Sequence, residues 1–286
     1  MNKNAQINVL TIDIEEWYHT GVLLTEDEWR MHPPRINLFL PQVLDKLDEY
    51  QIKATFFCLG WIARNYPDVI KRIQQHGHEI ACHTDMHPFI NKMTPDAFAQ
   101  DLRSALDSIQ HITGEKINTF RAPAFSISND TTWAFQVLAD NGIEIDCSIF
   151  PTTRSFGGFP SFGEAIPTLI KYKDCLIKEF PISAKTVLGK KIVFGGGGYL
   201  RLFPYWMIKN MMKSLDYNMT YLHLRDFDVE QFRFRNVSMM RYFKMYYGIK
   251  HAFSKFDRLL GDFTWMSVKQ AAQLIDFEKV KVVELF

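Results

Sequence analysis

Two histidines, His83 and His87, stand four residues apart in the segment HTDMH, and an acidic run, DIEE, occupies residues 13–16. Side chains at positions i and i+4 share one face of a helical turn, so both imidazoles could reach one ion. A divalent metal held by two imidazoles and one carboxylate keeps coordination positions open, as a hydrolytic site requires. The sequence therefore predicts a metal-dependent hydrolase in which residues 83–87 form a helical turn.

The acidic run ends an apolar stretch, residues 7–12, that is typical of a buried strand. Strand alternation places Asp13 and Glu15 on the same side, about 6–7 Å apart. One carboxylate could then bind the metal while the other acts as a base. Glu16 is the competing ligand, although alternation points it to the opposite face. His19 follows closely, but a histidine in a loop is more often solvated.

The elements that must position these side chains alternate between strand-like and helical patterns. Gly77, Gly114 and Gly142 stand just past three of the helix ends, as stop signals do. This rhythm predicts parallel strands with helices outside them, in a barrel or an open sheet. The predicted strands are 7–12, 54–58, 79–82, 119–121 and 143–147, and the predicted helices are 38–50, 67–75, 95–113 and 131–140.

Active sites of parallel α/β folds collect at the C-terminal ends of the strands. Arg121 ends the fourth predicted strand, Asp146 ends the fifth, and His223 follows a strand at 219–222. These side chains are therefore expected at the same edge as the acidic run and the two histidines.

The last part of the chain has a different pattern. Residues 150–200 are rich in Pro, Gly and Phe, with short strands expected at 175–180 and 191–194, and the four glycines at 195–198 predict a flexible cleft wall. We interpret the chain as one domain, 1–286, with a core at 7–228 and a helical C-terminal extension at 229–286. The remaining predicted elements are helices at 205–215, 241–247, 252–260 and 267–275, a buried helix face at 239–247, and a closing strand at 280–285.

Composition excludes several classes of function. The formal net charge of +1 on 286 residues gives no reason to expect a nucleic acid as partner. The four cysteines form no CxxC pair, which favours buried free thiols in a reducing compartment. No apolar run reaches the roughly 18 residues of a membrane span, and no signal peptide is visible, so we expect a cytoplasmic protein.

Several of these segments resemble a known family. Residues 77–87, the RAPAF segment at 121–125 and, more loosely, the Leu-His pair at 222–223 are similar to motifs of the NodB-type polysaccharide deacetylases, carbohydrate esterase family 4. Residues 13–19, 146–151 and 195–199 resemble the subgroup associated with exopolysaccharide and exosortase loci, which also has a helical C-terminal extension. The resemblance covers at least residues 7–227 and implies a distorted (β/α)7 barrel.

The resemblance also implies an activity, the removal of an acetyl group from an N-acetylated sugar. The common family pattern has two adjacent aspartates, but Ile14 occupies the second place here, so Glu15 would supply the third metal ligand. The implied metal is Zn²⁺ or another divalent transition ion such as Co²⁺, Ni²⁺ or Fe²⁺. The implied roles are metal ligands at Glu15, His83 and His87, general base at Asp13, positioning of that base by Arg121, general acid at His223, and orientation of His223 by Asp146 or Asp226.

Two other functions fit the same residues. A hydrolase of this fold could act on non-carbohydrate amides such as cyclic amides, since fold alone does not fix the substrate. A chain that had lost its metal through Ile14 would be a non-catalytic scaffold or carbohydrate-binding protein. The expected partner in the leading interpretation is an N-acetylated saccharide, either a polysaccharide or its lipid- or nucleotide-linked precursor. The C-terminal helices are also candidates for a homo-oligomer contact.

Overall fold

The computed structural model describes residues 6–19, 25–154 and 157–286. The described strands are β1 (Ile7–Val9), β2 (Thr11–Ile14), β3 (Thr55–Cys58), β4 (Glu79–Cys82), β5 (Thr119–Phe120), β6 (Ile145–Asp146), β7 (Thr168–Tyr172), β8 (Cys175–Glu179), β9 (Ala184–Val187), β10 (Lys190–Val193), β11 (Tyr217–Met219), β12 (Leu222–His223) and β13 (Val282–Leu285). The described α-helices are α1 (Glu26–Arg30), α2 (Ile36–Glu49), α3 (Gly60–Asn65), α4 (Pro67–Gln75), α5 (Pro95–Thr113), α6 (Trp133–Asp140), α7 (Gly197–Leu202), α8 (Tyr205–Lys213), α9 (Met239–Tyr246), α10 (Ala252–Asp262) and α11 (Val268–Leu274).

Seven strands of the main sheet run parallel, in the order β12-β2-β3-β4-β5-β6-β8. Strand β7 extends the sheet antiparallel to β8, and β13 pairs parallel with β7. At the other edge of the sheet, next to β12, the Met219 N–H donates to Ser183 Oγ and the Tyr221 N–H donates to the Gly195 carbonyl. The segment that follows β8 therefore crosses to the edge of the sheet formed by β12. The predicted α/β fold with a parallel sheet is confirmed.

The elements form where local sequence signals agree. Thr94 caps α5 by accepting a hydrogen bond from the Ala97 N–H, Pro95 takes the first helical position, and Gly114 ends the helix in the left-handed conformation at φ 68°. Strands β2 and β3 are buried along their whole length, as expected for parallel strands covered on both faces. Such signals lie in the elements or directly beside them, where sequence patterns can detect them. The bounds of α5 match the prediction, and so do those of α4 and β4.

Shorter elements were not predicted from sequence. These are α1, α3, α7, β7 and β9, none of which exceeds six residues. A helix of six residues has fewer than two turns, so it cannot display a full apolar periodicity. The structure is therefore richer in regular elements between residues 150 and 205 than the sequence patterns indicate.

The C-terminal extension contacts both ends of the barrel. At the start of α11, the Val268 N–H donates to Thr55 Oγ1 and the Lys269 N–H to Glu79 Oε2, at the first residues of β3 and β4.

The prediction that residues 239–247 present a buried helix face is wrong, because Met239 is 88% exposed and Tyr246 is the buried side chain of α9. Among the described helices, none combines the length and apolar character needed to cross a membrane.

Candidate functional site

The C-terminal ends of four parallel strands bring the candidate side chains together. His223 on β12 pairs directly with Asp13 on β2, and Glu15 lies just past the end of β2. His83 follows β4, and Arg121 follows β5. The seven-stranded parallel arrangement thus gathers at one edge residues that are more than 200 positions apart in the sequence.

The segment 83–87 is an irregular loop, so the prediction of a helical turn is wrong. Thr84 and His87 both adopt the left-handed conformation, with φ of 71° and 57°. Asp101 accepts hydrogen bonds from the N–H groups of Asp85 and Met86, and Arg64 pairs with the Asp85 carboxylate at 2.6 Å. Left-handed backbone is costly for residues other than glycine, and these contacts hold it in place.

Glu15, His83 and His87 form a potential metal triad. One ligand atom from each lies within 4.8 Å of the others, and His87 Nε2 is 2.7 Å from Glu15 Oε2. The Nδ1 atom of His83 is 2.8 Å from the Arg121 carbonyl oxygen, which leaves Nε2 to face the cluster. The two imidazoles and one carboxylate are a donor set that fits a divalent transition ion.

The charge state of the triad suits a cation. Burial lowers the pKa of His83 to about 4, so its imidazole is neutral and offers a lone pair at neutral pH. Burial opposes ionisation of Glu15, but His87, His223 and Arg225 outweigh it and hold its pKa well below the ordinary value. The triad therefore combines a carboxylate with at least one neutral imidazole, that of His83, as metal binding requires.

Glu16 lies outside this cluster. Its Oε1 atom accepts hydrogen bonds from the N–H groups of Arg35 at 2.6 Å and Ile36 at 2.9 Å, at the start of α2. Burial raises the pKa of Glu16 to about 7. The geometry therefore separates the two neighbouring glutamates, with Glu15 toward the histidines and Glu16 toward a helix N-terminus, in agreement with strand alternation.

Asp13 is held by a buried arginine. The Arg121 guanidinium is fully buried and donates to Asp13 Oδ1 and to Thr11 Oγ1, both at 2.7 Å. Its guanidinium carbon also lies 4.0 Å from the centre of the Phe57 ring. The second oxygen of Asp13 stays on the side of the cluster, 3.6 Å from His223 Nε2. Asp13 is thus fixed through one oxygen and presents the other to the site.

The carboxylate beside His223 belongs to Asp226. His223 Nδ1 is 3.3 Å from Asp226 Oδ2, and Asp226 Oδ1 lies 3.0 Å from Arg201 Nε. Burial opposes the charged imidazolium, but Glu15, Asp226 and Asp13 together raise the pKa of His223. Burial likewise opposes ionisation of Asp226, yet Arg201 and His223 lower its pKa.

Asp146 does not orient His223, which corrects its inclusion among the catalytic residues. Its carboxylate accepts a hydrogen bond from Ser148 Oγ at 2.6 Å and lies against the Glu179 carboxyl group. Asp146 ends β6, which three strands separate from β2 in the sheet, whereas Asp226 follows β12 directly. The choice between the two aspartates that the sequence left open therefore falls to Asp226.

Sequence reasoning missed several residues of this site. Arg201 and Arg225 belong to no recognisable motif. His19, expected to be solvated, is only 1% exposed, and its ring lies 6.4 Å from that of His87.

The run of four glycines at 195–198 does contain a signal that points to the site. A Cβ atom at Gly197 would lie 1.7 Å from Asp226 Oδ2, so this glycine makes room for the carboxylate that contacts His223.

A cavity of about 270 Å³ opens above the cluster. Phe89, Phe125 and Tyr221 supply aromatic walls, and Ala124 and Phe125 adopt left-handed φ values of 53° and 54°. Aromatic faces beside a polar cluster are suited to packing against a sugar ring. The cavity could therefore admit a sugar with its polar substituent directed at the cluster.

Two family models match the chain. Residues 20–145 match the family described as polysaccharide deacetylase, and residues 147–273 match a domain of unknown function (DUF3473). The first match includes the segment with His83 and His87 as well as Arg121, and the second includes His223 and most of the C-terminal extension.

Curated relatives match the chain over about a third of its length. A peptidoglycan-N-acetylglucosamine deacetylase from Bacillus cereus is 35% identical over 97 residues, which are 34% of this chain and 35% of that protein. A chitooligosaccharide deacetylase from a Bradyrhizobium species is 30% identical over 99 residues, which are 35% of this chain and 43% of that protein. The aligned segments thus cover less than half of these relatives.

Solved structures share the fold over nearly the whole chain. A Mycobacterium smegmatis protein provisionally described as a polysaccharide deacetylase superposes with a TM-score of 0.69 at 17% identity and covers 100% of this chain and 95% of that chain. A Bacillus anthracis pseudoenzyme of the CE4 family superposes with a TM-score of 0.52 at 13% identity, covering 99% and 68%. Because a pseudoenzyme shares the fold, the site residues must carry any argument about activity.

Proposed function

Because the chain carries a polysaccharide deacetylase domain of the NodB type (carbohydrate esterase family 4), we propose that it is a metal-dependent hydrolase that removes an N-acetyl group from a sugar. The observation that supports this proposal is the convergence of Glu15, His83 and His87 beside the Asp13–Arg121 pair and the His223–Asp226 pair. A cluster of polar residues with a purely structural role would not need a potential metal triad, a carboxylate held by an arginine and an imidazole held by an aspartate.

Glu15, His83 and His87 would hold the metal ion. A divalent ion there supplies Lewis acidity toward the acetyl carbonyl and makes water a stronger acid. Asp13 is the proposed general base, because Arg121 holds one of its oxygens and leaves the other free to take a proton from water.

His223 is the proposed general acid. Its Nδ1 atom faces Asp226, so Nε2 is the nitrogen that faces Asp13 and the cavity. The raised pKa of His223 favours the imidazolium, which can donate a proton to the departing sugar nitrogen. In the proposed reaction the C–N amide bond breaks, water supplies the second oxygen of acetate and gives a proton to Asp13, and the amine leaves with the proton from His223.

The structure offers a reason to prefer this proposal over a non-catalytic scaffold. Ile14, which replaces the usual aspartate, is fully buried within β2, while Glu15 occupies the position beside His87. The carboxylate is therefore displaced by one residue rather than missing. We infer that this chain keeps a three-ligand site despite the change in the motif.

The test is acetate release from N-acetylglucosamine oligomers by the metal-loaded protein, with metal content measured on the same samples. Asp13→Asn should keep the metal and lose activity about 100-fold or more. Glu15→Gln should lose metal, whereas its matched control, Glu16→Gln, should keep both metal and activity. A parent protein that binds one metal but releases no acetate would favour the cyclic amide alternative. A protein that binds no metal when supplemented would favour the scaffold.

A further inference from the structure

The cavity above the candidate site is unusually rich in cations. Arg154, Arg225, Arg241 and Lys244 all line it, together with the metal triad and the aromatic walls. Arg241 and Lys244 come from α9, in the C-terminal extension, and lie three residues apart on that helix. The extension therefore supplies one wall of the cavity over the cluster.

The described cavity lining holds more cations than carboxylates. Asp13 and Glu15 are the carboxylates among the described residues that line the cavity, and each has a partner of its own. Asp13 pairs with Arg121, which is buried beneath it, and Glu15 lies between His87 and Arg225. A divalent ion in the triad would add further positive charge. In a chain with a formal net charge of only +1, this is a local concentration of cations.

Two of the guanidinium groups hold donors without acceptors. Arg154 Nη1 and Arg225 Nε are buried and have no hydrogen-bond partner among the described residues. The guanidinium carbon of Arg154 lies 4.4 Å from the Phe150 ring centre, and Arg225 Nε lies 3.8 Å from Glu15 Oε1. Buried N–H groups are normally paired, so these two donors lack an acceptor that a ligand could bring.

We propose that the substrate is an anionic N-acetyl sugar, with a phosphate or carboxylate group near the acetyl group that is removed. This inference rests on the proposed deacetylase function and names its substrate class. Planar guanidinium groups pair with phosphate and carboxylate through parallel N–H donors, which neutral hydroxyl groups cannot match. Positive clefts also attract anionic substrates before they bind.

The test compares three probes with the metal-loaded full chain. Chitotetraose is neutral, a hyaluronan tetrasaccharide carries carboxylates, and UDP-N-acetylglucosamine carries phosphates. At low ionic strength we expect kcat/KM for acetate release to be about tenfold higher, or more, for at least one anionic probe. Raising NaCl from about 50 mM to about 500 mM should erase that advantage, because salt screens charges at this range. The probe that is preferred distinguishes carboxylate from phosphate recognition.

A double variant and a matched control locate the effect. Arg241→Gln with Lys244→Gln should lower the ratio of anionic to neutral kcat/KM about tenfold. Lys213→Gln, an exposed lysine at the end of α8 and at the opposite end of the barrel, makes the same type of charge change and should leave the ratio unchanged. Equal or better turnover of chitotetraose than of both anionic probes would overturn the inference.

A binding experiment distinguishes failure of this inference from failure of the proposed deacetylase function on which it rests. Calorimetric titration of the three probes into the Asp13→Asn variant should show tighter binding of an anionic probe, whether or not the parent releases acetate. Acetate from chitotetraose alone, with no preference for anions in binding, overturns the charge inference and leaves the deacetylase proposal intact. Preferential binding of an anion with no acetate from any probe supports the charge inference and contradicts the proposed reaction.

Discussion

At the residue scale, each candidate side chain of the site is held by a contact on the side that faces away from the cluster. His83 is fixed through Nδ1 by a backbone carbonyl, and His223 is fixed through Nδ1 by Asp226. Arg121 fixes one oxygen of Asp13 in the same way. In each case, the atom opposite the holding contact is the one that faces the cluster. Such contacts set tautomer and orientation, which matter as much as the identity of the residue.

Replacing Asp226 should therefore change the pH dependence of activity. Burial opposes the imidazolium of His223, but the neighbouring Asp226 raises the pKa of His223, so a reaction that needs the imidazolium declines as pH rises through that pKa. Without the Asp226 charge, the pKa of His223 falls. The Asp226→Asn variant should thus lose activity at lower pH than the parent and have a kcat reduced about tenfold.

The measurement is kcat for acetate release across the neutral and alkaline range, with metal content checked at each pH. Asp146→Asn is the matched control, because Asp146 contacts Ser148 and Glu179 instead of His223. Its alkaline decline should coincide with that of the parent. A shifted decline in Asp146→Asn, with an unshifted one in Asp226→Asn, would contradict the assignment.

At the scale of elements, close approach between α7 and the turn after β12 allows this pairing. Gly197 is at the first position of α7, and an added Cβ atom would lie 1.7 Å from Asp226 Oδ2 and 2.4 Å from its Cγ. Gly197→Ala should push Asp226 away from His223 and lower kcat about tenfold or more while metal content stays unchanged.

Gly198→Ala is the control for this prediction, because the nearest atom to its added Cβ would be Arg201 Nη2 at 3.8 Å, an ordinary contact. Alanine is also the better helix former, so this variant should be as stable as the parent or slightly more stable. Activity and thermal unfolding of the two variants, measured side by side, decide the matter. Equal losses in both would show that the glycine run acts through backbone flexibility.

Local patterns predicted the elements that carry their own signals. Helix α5 has its cap, its proline and its terminal glycine within the printed sequence, so its bounds follow from residues 94–114 alone. The loop at 83–87 has no such local signal. Its left-handed residues depend on Asp101 and Arg64, which lie on other elements, so the four-residue spacing of the histidines predicts a helical turn that the structure does not contain.

The site residues also divide into those that a local sequence pattern identifies and those that depend on distant elements. Alternation along one strand was sufficient to favour Glu15 over Glu16, because both belong to the same segment. Choosing between Asp146 and Asp226 required knowing which strands are neighbours. β12 lies beside β2 although they are far apart in sequence, and no local pattern reports that adjacency.

At the scale of the whole molecule, the C-terminal extension belongs to the barrel at both ends. Helix α9 lines the cavity above the strand ends, whereas α11 contacts the first residues of β3 and β4. Strand β13 then extends the main sheet beside β7. The extension thus contacts the site, the opposite end of the barrel and the edge of the sheet. We therefore expect the folding of the extension and the formation of the site to be coupled.

The stability of the whole fold should also depend on a buried acid pair between β6 and β8. Burial, followed by the neighbouring Asp146 carboxylate, holds the pKa of Glu179 well above its ordinary value, and burial also raises the pKa of Asp146. A carboxyl group with a raised pKa in the folded state contributes stability in its protonated form. That contribution is complete below the unfolded value near 4.5 and is lost as pH rises through the raised value.

Glu179→Gln should remove this loss, because glutamine imitates the protonated acid at every pH. Its amide oxygen can still accept the hydrogen bond from the Ile149 N–H, and its amide nitrogen can donate to Asp146. We expect the melting temperature of the variant, relative to the parent, to rise steadily between about pH 5 and about pH 9. Glu144→Gln, at an exposed glutamate just before β6, should show a difference that hardly changes with pH. A pH-independent difference for Glu179→Gln would mean that Glu179 is ionised throughout this range and that Asp146 carries the proton of the pair.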